Sequence, residues 1–294
     1  MVTASGSPQL CRLLRCILIS RDAERLATFY EEALGCRRLA LAHRAGAAFT
    51  AAMGVAGGAL SITLELGSQR IELLQFAHPG RPYPADTLAS DLLFQHCAVV
   101  VSDMDEALRR LSAAGGWTAI SEHGPQRLPA SSGGVTAFKF RDPEGHPLEL
   151  LAFPAATLPD YWQRASGTDP CLGIDHSAIS VSDGARSMAF YQALGLRVTG
   201  ASTNAGAEQA SLDGLPEPQV EVTALAAEQA TPHLELLCYR RMQRRAPIPV
   251  RDSDIAATRL LWQAHGMSIR PSCAREPQAL ADPDGHRLLI VAAG

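Results

Sequence analysis

The segment DAERLATFYEEALG at residues 22–35 decides the fold, because a near-copy, DGARSMAFYQALG, stands at residues 183–195. Both copies begin with an aspartate that can cap a helix, carry apolar residues at helical spacing, and end in a glycine that can stop a helix. An apolar run typical of a buried strand precedes each copy, at residues 13–19 and 174–181. The chain therefore contains a strand–helix unit that occurs twice.

A second repeat lies further along the chain, with DPEGHPLE at residues 142–149 and DPDGHRLL at residues 282–289. Asp-Pro-x-Gly favours a tight turn, because proline presets one backbone angle and glycine supplies the next. Apolar strands are predicted on both sides of each turn, and a helix is predicted before them. For the later copy we expect that helix over residues 254–265, after a poor strand at residues 246–250.

The two repeats divide the chain into four modules in the order A-B-A-B, which cover residues 11–78, 92–154, 172–240 and 246–294. One helix cannot cover a sheet of several strands alone, so the modules must pair. The predicted domains are a first module pair at 1–158 and a second at 172–294, with pairing of modules two and three across the midpoint as the alternative.

Composition narrows the class of protein. Of the 294 residues, 47% are hydrophobic, which is enough for a folded core. The formal net charge of −4 argues against a nucleic-acid or anionic membrane partner. Lys139 is the sole lysine, which argues against a lysine nucleophile. The seven cysteines form no CxxC pair, and neither a signal peptide nor an apolar run of about 20 residues is visible. We expect a cytoplasmic monomer or homodimer whose partner is a small-molecule substrate.

The repeats resemble the vicinal oxygen chelate superfamily, which includes glyoxalase I, extradiol dioxygenases, methylmalonyl-CoA epimerase and bleomycin-resistance proteins. The resemblance implies an α+β fold in which four βαβββ modules form two cups of curled sheet. It also implies a divalent metal ion held by the first strand, usually through histidine, and the last strand, usually through glutamate, of each module. The first-strand positions are Arg15, His96, His176 and Pro247, and the last-strand positions are Glu72, Glu149, Glu235 and Leu289.

Only modules two and three keep both a histidine and a glutamate at these positions. Alternate residues of a strand share a face, so His96 and His176 can each point into a cup. Imidazole and carboxylate groups are costly to bury there unless a cation compensates them. Two histidines and two glutamates suit zinc, nickel, cobalt, manganese or ferrous iron, so the ligands leave the metal open.

The pairing of the modules decides which side chains meet. Pairing in sequence order groups Arg15 and Glu72 with His96 and Glu149. It leaves no cup with two histidines, although Glu72, His96 and Glu149 would still form an adequate three-ligand site. Crossed pairing, which resembles single-chain four-module glyoxalases, leaves Arg15 and Glu72 as an ion pair in the other cup. It gathers one complete ligand set, His96, Glu149, His176 and Glu235. Crossed pairing is the preferred hypothesis because it explains both the complete set and the degenerate one.

Three functions are compatible with this pattern. The first is a metal-dependent lyase or isomerase that removes a proton next to a metal-bound carbonyl, with Glu149 as the base by resemblance to glyoxalase I. The second is an extradiol-type ring-cleaving dioxygenase, and the third is a metal-free small-molecule-binding or resistance protein. His233 shares a strand face with Glu235 and is a possible substrate contact, whereas His146 and His286 are expected in capping or surface roles.

Overall fold

The computed structural model describes residues 8–164, 169–229, 231–240, 242, 247–266 and 277–293. The strands, numbered along the chain, are β1 (Gln9–Ile19), β2 (Arg37–Arg44), β3 (Ala59–Leu66), β4 (Gln69–Phe76), β5 (Phe94–Val101), β6 (Thr118–Ala119), β7 (Gln126–Arg127), β8 (Thr136–Arg141), β9 (Pro147–Ala152), β10 (Cys171–Ser180), β11 (Arg197–Ala205), β12 (Gln219–Ala226), β13 (His233–Arg240), β14 (Arg259–His265), β15 (Gln278–Ala281) and β16 (Arg287–Ala292). The helices are α1 (Ala23–Leu34), α2 (Ala47–Met53), α3 (Met104–Ala114), α4 (Asp160–Gln163), α5 (Gly184–Ala193) and α6 (Ala207–Asp213), with single 3₁₀ turns at Ala130–Ser132 and Ala155–Thr157.

The strands form two curled sheets. The first sheet has the order β15-β16-β14-β1-β4-β3-β2. The second has the order β11-β12-β13-β10-β5-β9-β8-β6, with β7 paired to β8. In this strand order modules one and four share the first sheet, and modules two and three share the second. The predicted α+β fold with two curled-sheet cups is confirmed; the domain boundaries at 1–158 and 172–294 stay a prediction.

The helices begin where the repeated aspartates predict. Asp22 accepts a hydrogen bond from the backbone N–H of Arg25, and Asp183 accepts the equivalent bond from Arg186. Asp103 caps α3 in the same way. Each carboxylate satisfies a backbone N–H that the first helical turn leaves without a partner. The apolar faces of α1 and α3 then pack against each other and against the sheets, so the main core lies between the helices and the strands.

The helix predicted over residues 254–265 is wrong, because β14 occupies most of that range. β14 lies between β1 and β16, and five of its seven residues are buried, as expected for a central strand covered on both faces. The carboxylate of Asp254, which resembled a helix cap in the sequence, instead accepts hydrogen bonds from the N–H groups of Arg81 and Arg251. Burial between two neighbouring strands therefore overrides a local capping pattern.

Because β14 lies further along the chain than the strand predicted at residues 246–250, the first-strand ligand position of module four also changes. Ile17 lies opposite Arg259 in the first sheet, as Ala178 lies opposite His96 in the second. The equivalent position is therefore Arg259, and the alignment to Pro247 is wrong. The last-strand position, Leu289, is unchanged, since it pairs in register with Leu261.

Each Asp-Pro-x-Gly turn joins one sheet to the other. Asp142 of module two accepts a hydrogen bond from the hydroxyl of Tyr30 in module one, at 3.1 Å. Asp282 of module four accepts the same bond from Tyr191 in module three, at 3.2 Å. His146 is completely buried, with Nδ1 2.8 Å from Asp142 Oδ2 and Nε2 3.0 Å from the carbonyl of Ile19, so the surface role expected for it is wrong. Each turn thus holds its own module against the preceding module of the chain, which lies in the other sheet.

The buried pair of His146 and Asp142 makes stability depend on pH. Burial lowers the pKa of His146, but the nearby Asp142 carboxylate outweighs that effect, so the net pKa is raised. A raised pKa in the folded state stabilises the fold below the unfolded value of about 6.5, and this contribution is lost as pH rises through the folded pKa.

We therefore expect His146→Gln to reduce the free energy of unfolding, and the reduction to shrink as pH rises above neutrality. Urea unfolding of wild type and variant at several pH values measures this difference. Tyr30→Phe is the control, because it removes a hydrogen bond to the same carboxylate without removing a titrating imidazole, and its cost should be constant with pH. A His146→Gln cost that is also constant with pH would contradict the prediction.

Candidate metal centre

The centre lies on the concave face of the second sheet, where β5 and β10 run antiparallel. The residue two positions after each histidine lies opposite the other histidine, so His96 and His176 face each other across the strand pair. The outer neighbours β9 and β13 run parallel to these strands and bring Glu149 and Glu235 to the same face. Because paired residues of adjacent strands share a face, the four predicted ligands converge.

The distances between the ligand atoms describe a compact cluster. Nε2 of His96 lies 2.9 Å from Nε2 of His176 and 3.1 Å from Oε2 of Glu149. Nε2 of His176 lies 3.7 Å from the same Glu149 oxygen and 3.5 Å from Oε2 of Glu235. Ligand atoms about 2.0–2.2 Å from a tetrahedral zinc would be about 3.3–3.6 Å apart, so the four side chains are close to the spacing that a metal ion requires.

Neighbouring polar groups orient both histidines. Gln95 contacts Nδ1 of His96 through its side-chain oxygen, and Asp175 accepts a hydrogen bond from Nδ1 of His176 at 3.0 Å. With Nδ1 engaged in this way, Nε2 of each ring is left to face the centre. Metal-binding histidines are held in this manner, since the outer hydrogen bond fixes the ring and its tautomer.

The charges at the centre fit a cation. Burial raises the pKa of Glu149, but His96 and Lys139 outweigh it and bring the pKa to about 2. The pKa of Glu235 is also about 2, because His176 and His233 outweigh burial. Two ionised carboxylates and two imidazoles whose Nε2 atoms face each other form a donor set that a divalent ion satisfies. The residues present therefore fit a divalent metal ion.

A cavity of about 290 Å³ opens above the four side chains. Its apolar wall is made of Leu128, Val135, Leu151, Leu212 and Val222. At its rim the hydroxyl of Ser132 in module two donates a hydrogen bond to Asn204 in module three, at 2.7 Å. A concave space with an apolar wall and a few converging polar groups is the usual form of a small-molecule site.

His233 lies at the edge of the centre and lines the same cavity. Its Nε2 is 3.5 Å from Oε1 of Glu235, and its Nδ1 is 3.8 Å from Oδ2 of Asp175. The ring is half-buried, so it is accessible to a molecule in the cavity. The structure thus places His233 beside the predicted ligands, and its role as a substrate contact stays a prediction.

A buried ion pair that the sequence did not reveal lies beside the centre. Lys139 on β8 lies opposite Glu149 on β9, and its Nζ is 2.6 Å from Oδ1 of Asp213. Asp213 also accepts hydrogen bonds from Gln209 and Tyr239, at 2.7 and 3.0 Å. A single lysine inside an apolar strand was the available signal, since an unpaired ammonium is not buried.

This network reaches the candidate ligands from two sides. The hydroxyl of Tyr239 accepts a hydrogen bond from Gln95 at 3.2 Å, and Gln95 in turn contacts His96. Burial lowers the pKa of Lys139, but Asp213 and Glu149 outweigh it and raise the pKa, so the lysine stays charged. The pair therefore places a fixed positive charge beside Glu149.

The equivalent positions of the first sheet carry side chains of other types. Nε of Arg15 donates to Oε2 of Glu72 at 2.7 Å, and Leu289 and Arg259 occupy the other two positions. Both groups of metal-ligating side chains found among the described residues lie in the second sheet. Arg15 and Glu72 are thus separated from the four converging side chains.

Comparison with known proteins agrees with this fold. Residues 12–150 match the family model of the Glyoxalase/Bleomycin resistance protein/Dioxygenase superfamily. This match lies within modules one and two, and it confirms the resemblance to the superfamily that the repeats indicate. Comparison with curated protein sequences gives no significant match. Among the described helices, none has the length and apolar character needed to cross a bilayer.

Two solved structures share the fold over nearly the whole chain. Glyoxalase I from Zea mays matches with a TM-score of 0.58 and 18% identity, over 96% of this chain and 92% of that chain. A protein described as a "putative dioxygenase" from Bacillus subtilis subsp. subtilis str. 168 matches with a TM-score of 0.58 and 12% identity, over 97% of this chain and 86% of that chain. At these identities the likeness establishes the fold alone.

Breaking the buried pair of Lys139 and Asp213 should lower the free energy of unfolding substantially. Lys139→Met leaves Asp213 buried without its counter-charge, and we expect a loss of about 3–5 kcal/mol in the free energy of unfolding. Lys139→Met combined with Asp213→Asn removes both charges and should recover most of that loss. Denaturant unfolding measures both; a double variant no more stable than Lys139→Met would contradict the prediction.

Proposed function

We propose that the protein is a metal-dependent, glyoxalase-like enzyme, a lyase or isomerase that acts on a small oxygenated substrate. The observation that carries this proposal is the convergence of His96, Glu149 and His176, whose ligand atoms all lie within 4.8 Å of one another, with Glu235 beside them. The cavity above the cluster supplies space for a substrate next to those atoms. The family match over residues 12–150 supports the same class of chemistry.

The four side chains would hold one divalent ion, and zinc, nickel, cobalt, manganese and ferrous iron all suit two imidazoles and two carboxylates. When bound, such an ion supplies a Lewis acid that polarises a substrate carbonyl. Hydrogen bonds from the Nδ1 atoms of the two histidines to Gln95 and Asp175 keep the rings in position for it.

The carboxylates supply the proton transfer. Glu149 is the base implied by the resemblance to glyoxalase I, and it accepts the proton from the carbon next to the carbonyl. Glu235 is the second candidate, because its side chain is 20% exposed, compared with 7% for Glu149, and both line the cavity. The carboxylate that takes the proton returns it to a neighbouring atom to complete an isomerisation, or holds it while a leaving group departs.

The surroundings favour this chemistry over its competitors. The apolar wall of the cavity excludes water from the reacting carbon, which strengthens the electrostatic interactions there. Four protein ligands leave few open positions on a metal ion, whereas ring cleavage by iron and oxygen needs an open facial triad. If the proposal is wrong, the experiments below would instead indicate a dioxygenase or a metal-free binding protein.

Metal binding is the first test. We expect His96→Ala combined with His176→Ala to weaken binding of the preferred ion at least about 100-fold, since two ligands are removed. Glu72→Gln is the matched control, because it removes a carboxylate of the same type from the other cup and should leave metal binding unchanged. Equilibrium dialysis against zinc, nickel, cobalt and manganese, followed by elemental analysis, measures both. Metal binding that survives the double variant would contradict the site, and no binding by wild type would favour the metal-free function.

Proton transfer is the second test. The metal-loaded protein should incorporate deuterium from D₂O next to the carbonyl of at least one α-hydroxycarbonyl compound. We expect the glutamine variant of the base to lose about 10²–10⁴-fold of this exchange rate. Glu149→Gln and Glu235→Gln are compared, each with its metal content measured, and the base is the residue whose loss stops exchange while metal is retained. Oxygen consumption with catechols and no exchange by any metal-loaded form would contradict the proposal and favour the dioxygenase.

A further inference from the structure

The cup of the first sheet encloses a larger space than the cup that holds the candidate metal centre. Its cavity is about 440 Å³, against about 290 Å³ above His96 and His176. Apolar side chains form much of its lining, namely Ile17, Phe49, Met53, Leu261, Leu289 and Val291. The size and the apolar lining are those of a small-molecule site.

The polar part of this cavity is built around one arginine. Nε of Arg15 donates to Glu72 at 2.7 Å, and Glu72 also accepts a hydrogen bond from the hydroxyl of Ser61 at 2.6 Å. These contacts hold the inner edge of the guanidinium group. Its terminal Nη1 and Nη2 atoms make no hydrogen bond to any residue within the described ranges, and the side chain is 20% exposed at the cavity wall.

The second arginine of this cup is not available in the same way. Arg259, at the fourth first-strand position, is buried and donates to the backbone carbonyls of Ala257, Met53 and Asp252, each at 2.8 Å. It fastens α2 to the segment before β14. Arg15 is therefore the arginine of this cup that lines the cavity with its terminal nitrogens free of the described hydrogen bonds, and Arg44 adds a further positive charge to the lining.

The charge and shape of the cavity define its ligand. Arg15 and Arg44 together outweigh the single carboxylate of Glu72, so the polar end is net positive. The planar fork of a guanidinium group matches the two oxygens of a carboxylate. We propose that the cup of the first sheet is a metal-independent binding site for a small organic carboxylate with an apolar body, whose oxygens bind Arg15. This site is separate from the candidate metal centre and does not rest on the proposed function.

Hexanoate and its neutral analogue hexanamide are suitable probes, and isothermal titration calorimetry is the measurement. Binding is measured in the His96→Ala/His176→Ala variant as well as in metal-loaded wild type, so that a carboxylate bound to metal is not counted. We expect one saturable hexanoate site in both proteins, and at least about tenfold weaker binding of hexanamide. Absence of saturable hexanoate binding, or its loss in the double variant, would overturn the proposal.

Two further variants locate the site. Arg15→Gln combined with Glu72→Gln keeps a neutral hydrogen-bonding pair, which avoids an unpaired buried carboxylate, and should weaken hexanoate binding about 10- to 100-fold while sparing hexanamide. Ala48→Trp places a large ring at the half-buried cavity wall and should weaken both probes, with unchanged circular dichroism. Hexanoate binding equal to wild type in both variants would show that the anion binds elsewhere.

Discussion

The antiparallel pairing of β5 with β10 is the contact on which the candidate site depends. His96 and His176 are 80 residues apart in the chain, yet this register brings their Nε2 atoms to 2.9 Å. The two parallel neighbours then add one glutamate each from the same face. The first sheet repeats this arrangement through β1 and β14, with Arg15, Glu72, Arg259 and Leu289 at the equivalent positions. The same strand arrangement therefore carries two kinds of chemistry, a set of candidate metal donors in one sheet and two arginines with a single carboxylate in the other.

The Asp-Pro-x-Gly turns explain how two sheets that alternate along the chain stay together. Each turn places an aspartate against a helix tyrosine of the preceding module, Tyr30 for Asp142 and Tyr191 for Asp282. The histidine of each turn also donates to a strand carbonyl of that module, Ile19 or Ser180. Every module contacts one partner within its sheet and another through a turn. These contacts limit the movement of one cup relative to the other. Rigid support of this kind is what a site of four converging ligands requires.

The sequence predicted what depends on local chemistry and repetition. The caps at Asp22 and Asp183 need only nearby backbone N–H groups, so their helices begin where expected. The four candidate ligands were found because matched positions in two repeats carried a histidine and a glutamate. The helix predicted for the fourth module is wrong. Asp254 resembled a helix cap, whereas burial of β14 between two strands decides the conformation of that segment. Lys139 and Asp213 are 74 residues apart, so only the folded chain shows that they pair.

The central claim is that the second sheet holds one metal ion between His96, Glu149, His176 and Glu235, and that the first sheet holds none. Anomalous diffraction from crystals of the zinc- or nickel-loaded protein, recorded at the absorption edge of that metal, tests it most directly. One strong peak per chain within about 2.0–2.2 Å of both Nε2 atoms and the carboxylate oxygens is the predicted result. A peak between Arg15 and Glu72, or no peak beside the two histidines in crystals that contain the metal, would contradict it.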